Sequence, residues 1–147
     1  MASNTAPIYA RQGEVASNGT TGMAPTLTTA AADYTGISAN NQLVFTSDAT
    51  EGSIIRGLFF APTGTNTASV ARIYLNNGSV NTTATNNSFI GAYGLPATTA
   101  TNIAAEPSFF YPFPNGGIAL PPNFRVYVGL GTTVAAGWVV TPVAGNY

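Results

Sequence analysis

The chain has no cysteine, no histidine and no lysine, and charged residues make up only 6% of its 147 positions. Without cysteine it can form neither a disulfide framework nor a thiolate metal site, and it has no thiol nucleophile. Without histidine or lysine, a serine or threonine hydroxyl has no Ser–His or Ser–Lys base to activate it. These absences exclude the commonest nucleophilic enzymes.

Basic residues are too few for a polyanionic partner. Four arginines stand against five acidic residues, and the formal net charge is −1. Nucleic-acid binding needs a dense set of basic side chains to neutralise phosphates, and an anionic membrane surface needs a basic cluster. No run approaches the ~18 apolar residues of a membrane-spanning helix. We therefore expect neither nucleic acid nor membrane as a partner.

The acidic residues offer one local cluster, Asp48 and Glu51 in the polar stretch 48–52. Two carboxylates can cleave a glycoside, and turn oxygens can bind calcium. However, the stretch lacks the alternating Asp and Asn ligands of a calcium loop, and such residues in a turn are most often simply solvated. We predict a protein that is not an enzyme and has no cofactor or metal.

The clearest positive signal is a series of short β-strands. In Arg125–Leu130 the residues Val126, Val128 and Leu130 alternate with less apolar ones, the period-2 pattern of a half-buried strand. Similar stretches recur every ~8–12 residues, as in an all-β domain. About eight strands predict a single jelly-roll-like β-sandwich over 41–147. The stretches are 42–46, 53–60, 69–75, 88–95, 109–113, 118–120, 125–130 and 138–141, and the last two are expected to form a closing hairpin.

An aromatic run interrupted by Pro112 and followed by Pro114 precedes the closing strands. Proline cannot donate to a β-ladder, so this stretch is expected at a sheet edge or a bulge. Its aromatic side chains could pack in the core, form a sugar-stacking platform with Trp138, or present an interface patch. The interface candidates in this run are Phe109, Phe110, Tyr111 and Phe113.

The first 40 residues are rich in small and polar side chains, with few apolar anchors. One interpretation is a disordered tail. The other, which we favour, is an extended N-terminal arm that adds a strand to an edge of a neighbouring subunit. The predicted contact residues of this arm are Ile8, Tyr9, Arg11 and Val15.

Three of the four arginines lie inside predicted strands. An outward arginine in a strand is often only solvated, but a guanidinium can also bind a carboxylate through two hydrogen bonds, within a chain or across a subunit boundary. Both interpretations stay open. The arginines are Arg56, Arg72 and Arg125, and the candidate acids are Asp48, Glu51 and Glu106.

Several strings in the C-terminal two-thirds of the chain resemble small structural proteins of tailed bacteriophages that decorate or cement capsids. They are SVARIYLNNG (69–78), LPATTA (95–100) and LPPNFRVYVGLGTTVAAGW (120–138). Proteins of similar appearance also occur in phage tails and fibres. The strings contain no catalytic signature.

This resemblance implies a jelly-roll-like domain on the capsid surface of a virion, commonly a homotrimer, which holds neighbouring major capsid protein subunits together. Residues 1–40 lie outside the resemblance and would serve as a capsid-binding arm. The alternative function is a receptor- or glycan-binding module of a tail fibre or spike, with Trp138 or Tyr127 stacking on a sugar.

Overall fold

The computed structural model describes residues 12–14, 24–31 and 33–147. Two antiparallel β-sheets pack face to face, so the predicted all-β sandwich is confirmed. The jelly-roll subclass stays a prediction. The strands of this part of the chain are β1 (Gln12–Glu14), β2 (Thr26–Leu27), β3 (Gln42–Thr46), β4 (Ser53–Pro62), β5 (Ser69–Asn76), β6 (Asn87–Leu95), β7 (Phe109–Pro112), β8 (Ile118–Leu120), β9 (Arg125–Leu130) and β10 (Trp138–Asn146).

The first sheet has the strand order β1-β10-β4-β7, with β2 also paired to β10 and β8 also paired to β4. The second sheet has the order β3-β9-β5-β6. Short 3₁₀ turns at Ala84–Asn86 and Pro114–Gly116 precede β6 and β8. All eight strands predicted from the sequence are present.

The predicted closing hairpin is wrong. Strand β9 pairs with β3 and β5 in the second sheet, whereas β10 pairs with β1, β2 and β4 in the first. The connection between β9 and β10 therefore crosses the sandwich. It carries the buried Val134, and Gly131 N–H donates to the carbonyl of Val70. An extended connection of this length easily spans the ~10 Å between packed sheets.

The core lies between the two sheets. The predicted inward face of β9, Val126, Val128 and Leu130, is fully buried. It belongs to one apolar cluster with inward residues of the first sheet, including Leu58 and Phe60. Burial of the alternate residues of each strand is what sets the register, because a slip by one residue would turn the apolar set toward water.

The described part of the predicted arm packs on its own chain. Strand β1 pairs with 144–146, and β2 pairs with Trp138 and Val139. Leu27 in β2 is a core residue. These residues thus extend the first sheet of the same subunit. The predicted contacts at Ile8, Tyr9, Arg11 and Val15 lie outside the described residues.

From β2 the chain crosses the outer face of the second sheet before entering β3. We call residues 28–31 and 33–40 the strap. Ala31 N–H donates to the carbonyl of Leu130 at 2.7 Å, and an Nη1 of Arg72 donates to the carbonyl of Ala31 at 2.9 Å. The strap is therefore bonded to two strands of the second sheet, and it covers part of a face that would otherwise be solvated.

Candidate interaction site

The outer face of the first sheet is mostly apolar: among its residues with described side chains the one charged residue is Arg56, which is exposed at the irregularity of β4. Side chains alternate across a strand, so the neighbours of the buried Ile55, Leu58 and Phe60 point outward. An antiparallel sheet with one solvated face normally has polar residues there. We call this surface the apolar face; it consists of Ile54, Phe59, Phe110, Ala119, Val139, Thr141 and Val143.

Two phenylalanines form the centre of the apolar face. Phe59 of β4 and Phe110 of β7 are directly opposite in the ladder, with ring centroids 6.4 Å apart, and they are 41% and 44% exposed. The Phe110 ring lies over Gly57: a Cβ at that position would come within 2.6 Å of the ring. Glycine at position 57 therefore allows the ring to lie against the sheet.

The aromatic run forms an edge strand, as predicted. Within the described structure β7 pairs only with β4, and Pro112 occupies the last position of the strand. Phe113 N–H continues the contact by donating to the carbonyl of Arg56 at 2.8 Å. Proline is tolerated here because an edge strand has one side that needs no ladder partner.

The four aromatic interface candidates divide between two environments. Phe110 points outward, whereas Phe109, Tyr111 and Phe113 turn inward and close the open end of the sandwich. Tyr111 lies 5.5 Å from Tyr93 between ring centroids and 5.8 Å from Phe113. Phe113 is only 4% exposed, so it has almost no surface to offer a partner. Its assignment to an interface needs correction: it is a core residue, because its extended backbone continues the inward alternation of Phe109 and Tyr111.

Trp138 is fully buried and packs on Phe109 with 6.1 Å between ring centroids. A buried indole cannot stack on a sugar, so the glycan platform based on Trp138 is wrong for this fold. Its position follows from the register of β10, in which Trp138 shares the inward face with Val140. Tyr127 is half-buried on the second sheet.

The carboxylate of Asp48 organises a turn. Oδ1 of Asp48 accepts hydrogen bonds from the N–H groups of Glu51 and Thr50, both at 2.8 Å, and these bonds lower the pKa of Asp48. The geometry is that of a solvated turn rather than of paired catalytic acids. Among the residues with described positions, no three His, Cys, Asp or Glu side chains come together as metal ligands. No helix in that part of the chain is long and apolar enough to span a membrane.

The arginines bind main-chain oxygens. Arg72 donates to the carbonyls of Ala31 and Asp33, and its guanidinium carbon is 4.1 Å from the centre of the Tyr34 ring. Arg125 donates to the carbonyl of Ser79 at 3.4 Å. For these two arginines the structure gives a local role in holding the strap and a loop. Their pairing with acids of a neighbouring subunit stays a prediction.

A shallow depression beside the β5–β6 hairpin is lined by Leu75, Phe124 and several asparagines. The amides are engaged with one another: Asn76 Nδ2 donates to Asn87 Oδ1 at 2.9 Å, and Asn77 Nδ2 to Asn86 Oδ1 at 3.3 Å. This asparagine cluster therefore stabilises the end of the hairpin. Because its amides already bond one another, they are poorly placed to bind a sugar.

Sequence reasoning missed a second exposed aromatic pair. Tyr34 of the strap and Phe89 of β6 meet edge to face, with 5.5 Å between ring centroids, and are 62% and 42% exposed. No local pattern could have joined them, because Tyr34 lies in an irregular segment and reaches Phe89 only through the folding of the strap onto the second sheet.

No protein-family model, curated protein or solved structure matches this chain. The observations that bear on function are therefore the apolar face, the edges of the two sheets and the turn chemistry of the few charged residues.

Proposed function

We propose that the protein is a non-enzymatic virion structural protein that binds the capsid surface as a cement or decoration protein. It would bridge neighbouring subunits of the major capsid protein. The carrying observation is the apolar face, which exposes the uncharged pair Phe59 and Phe110 at its centre, with Arg56 as the one charged residue described on that surface. The resemblance of 69–78, 95–100 and 120–138 to phage cement proteins supports the same proposal.

The physical argument rests on burial. Covering a phenylalanine side chain fully contributes about 1.5–3 kcal/mol, and aromatic anchors at the centre of an interface often dominate its binding energy. The aromatic centre of the face carries no charge, so covering it does not strip water from an ion, which is a large cost when the charge is left unpaired. Weak contacts repeated over a shell add up through effective concentration.

The predicted arm contacts remain part of this proposal. Strand β1 begins at Gln12 on the edge of the first sheet, and residues 1–11 precede it in the sequence. Ile8, Tyr9 and Arg11 would extend the contact to a neighbouring subunit, with Val15 following β1. The predicted homotrimer and the glycan-binding alternative stay proposals, the latter weakened by the burial of Trp138.

Co-sedimentation with assembled shells tests the proposal. The variant with Phe59→Ser and Phe110→Ser should lose most pelleting with shells, because it removes the aromatic centre of the apolar face. Ile103→Ser is the matched control, since Ile103 is 97% exposed but lies in the loop before β7. Full pelleting of the double variant would overturn the assignment of this face.

A deletion separates the arm from the face. Removing residues 2–11 leaves β1 and β2 in place, whereas removing 2–40 would also delete the core residue Leu27 and the strap. We expect the shorter deletion to weaken shell binding while the unfolding transition of the sandwich is kept. Unchanged binding after this deletion would exclude the arm from the contact.

A further inference from the structure

Strand β6 is an open edge of the second sheet. It has nine residues and contains neither a charged residue nor a proline. Among the strands that the structure describes, it pairs only with β5. Natural edge strands are usually kept from pairing with other chains by charges, prolines or short length. By these criteria β6 is poorly protected.

The other described edges are better protected. Strand β7 ends in Pro112, and β8 and β1 have three residues each. Strand β3 has five, but an irregularity between Leu43 and Phe45 leaves it no regular run longer than two residues. Proline removes a ladder donor, and a short edge offers few main-chain groups for an incoming strand. Among the described edge strands, β6 is therefore the one best able to pair with a strand of another chain.

One irregularity limits the usable length of β6. Ile73 of β5 faces Gly91 and the next residue, Tyr74, faces Phe89, so Ile90 is an extra residue in the edge strand. Such a bulge locally disrupts the ladder. The regular part is therefore 91–95.

The side chains of this regular part suit a close neighbour. On the outward face Ala92 and Gly94 are small and exposed, and a Cβ at Gly94 would meet no atom within 4 Å. On the inward face Tyr93 stacks on Phe60, with ring centroids 5.8 Å apart, and lies 6.2 Å from Phe109. An adjoining strand would contact small residues on the outward face. On the inward face it would contact Tyr93, which forms an aromatic row with Phe60 and Phe109.

We propose that residues 91–95 pair antiparallel with the same segment of a second copy of this chain, about a two-fold axis at Tyr93. Ala92 of each copy then lies opposite Gly94 of the other, and the two four-stranded sheets become one sheet of eight. Tyr93 of each copy meets its symmetry mate, which lengthens the aromatic row.

A second copy is the occupant that the charge pattern favours. A two-fold contact places each residue near its own equivalent, so a charged edge would bring like charges together. This edge has none. The predicted homotrimer is the competing arrangement, but a three-fold ring needs two different surfaces on each subunit. The inference concerns self-association and does not depend on the proposed binding to capsids.

Sedimentation equilibrium of the purified full chain, without shells, tests the dimer. The wild-type protein should have about twice the 15.0 kDa mass of one chain. Ala92→Lys should be monomeric, because it places a charge at the pairing edge. Ala119→Lys is the matched control: it is the same substitution at an exposed alanine of another edge strand, β8, and should leave the dimer intact.

Cross-linking checks the register in case Ala92→Lys does not fold. The wild-type chain has no cysteine, so a variant with Ala92→Cys and Gly94→Cys should oxidise to a covalent dimer, since facing Cα atoms in an antiparallel pair fall within the 4.4–6.8 Å range of disulfides. Ala119→Cys should remain largely uncrosslinked. A monomeric or trimeric wild type, a dimeric Ala92→Lys variant, or no cross-link would overturn the proposal.

These results stay separate from shell binding. Ala119→Lys changes the apolar face and should weaken pelleting with shells while the dimer persists. Ala92→Lys should show the reverse, an intact apolar face on a monomer. The proposed dimer and the proposed shell contact can therefore be disproved independently of each other.

Discussion

The phenol of Tyr74 donates a hydrogen bond to the main-chain carbonyl of Asp33 at 2.8 Å. This bond joins the second sheet to the strap, and Arg72 reinforces it by donating to the same carbonyl at 3.2 Å. Tyr74 is fully buried. Burial raises the pKa of the Tyr74 phenol, so the group remains a protonated donor at neutral pH. The strap is thus fixed by strand β5, far from it in sequence.

Replacing Tyr74 by phenylalanine should lower the free energy of unfolding by about 0.5–1.5 kcal/mol, the net contribution of one hydrogen bond. The ring and its packing on Phe89 would be kept. Urea unfolding followed by fluorescence measures the change. Tyr34→Phe serves as the control, because it keeps the exposed ring that contacts Arg72 and Phe89, and it should change stability by much less. Equal effects of both substitutions would contradict the role of the Asp33 bond.

Acid should loosen the turn that Asp33 organises. Burial is the largest single influence and acts to raise the pKa of Asp33, but hydrogen bonds from the Thr35 hydroxyl and the N–H groups of Thr35 and Gly36 together lower it. A lowered folded-state pKa means that the stabilisation is present above the ordinary value of about 3.9 and is lost as pH falls through the lowered pKa. Stability should therefore decrease between about pH 5 and about pH 2.

Asp33→Asn provides the measurement of that contribution. It removes the titrating group but keeps an oxygen acceptor for the turn. The decrease in urea midpoint from about pH 5 to about pH 2 should be smaller in this variant than in the wild type. Part of the decrease should remain, because the pKa of Asp48 is lowered by the bonds from Glu51 and Thr50. An identical pH dependence in variant and wild type would exclude Asp33 as a source.

The strands could be predicted because burial on one face imposes period two, and β9 shows this most clearly in Val126, Val128 and Leu130. Their pairing could not. A turn rich in glycine and alanine between β9 and β10 looks like a hairpin turn, but burial of Val134 in that connection makes it a crossover between sheets. Pairing depends on contacts between distant segments, which local patterns do not contain.

The candidate site was predictable in location but not in detail. Prolines placed the run 109–113 at an edge, and the structure agrees. Which rings face outward depends on the register of β7 against β4, where Phe110 meets Phe59. Phe59 lay in a predicted strand, but the apolar run of Leu58, Phe59 and Phe60 does not show which of the three faces outward. The apolar face became visible only once the register was known.

Asn66 shows how a polar residue in a loop can be structural without a sequence signal. It is 3% exposed; its Oδ1 accepts from the N–H groups of Ala136 and Gly137 at 2.9 and 2.8 Å. Its Nδ2 donates to the carbonyl of Gly137 at 3.0 Å and reaches Thr98 Oγ1 at 3.3 Å. One amide thereby joins three loops at one end of the sandwich.

Asn66→Ala should destabilise the protein by about 2–5 kcal/mol, because it leaves buried N–H groups without an acceptor at about 1–3 kcal/mol each. Differential scanning calorimetry measures the change in Tm. Asn66→Asp restores the acceptor but not the donors and should recover part of the loss. Asn102→Ala, at an exposed loop position, should have almost no effect. A small effect of Asn66→Ala would mean that water replaces the amide.

The aromatic run should separate into a folding part and a contact part. Phe113 is buried in the core and Phe110 is 44% exposed on the apolar face. Phe113→Ala should cost about 3–5 kcal/mol of stability, as expected for a large core side chain. Phe110→Ala should cost much less, because much of its ring is already in water and only part of its contact with Phe59 is lost.

Two measurements on the same pair of variants establish the separation. Urea unfolding reports the stability. Co-sedimentation with shells, done without denaturant so that both variants are folded, reports the contact. We expect Phe110→Ala to pellet poorly and unfold nearly like the wild type. Phe113→Ala should unfold early but, while folded, pellet like the wild type, because its side chain is withdrawn from the surface. If Phe113→Ala instead pelleted poorly and Phe110→Ala pelleted like the wild type, the partner would contact the inward-facing rings and not the apolar face.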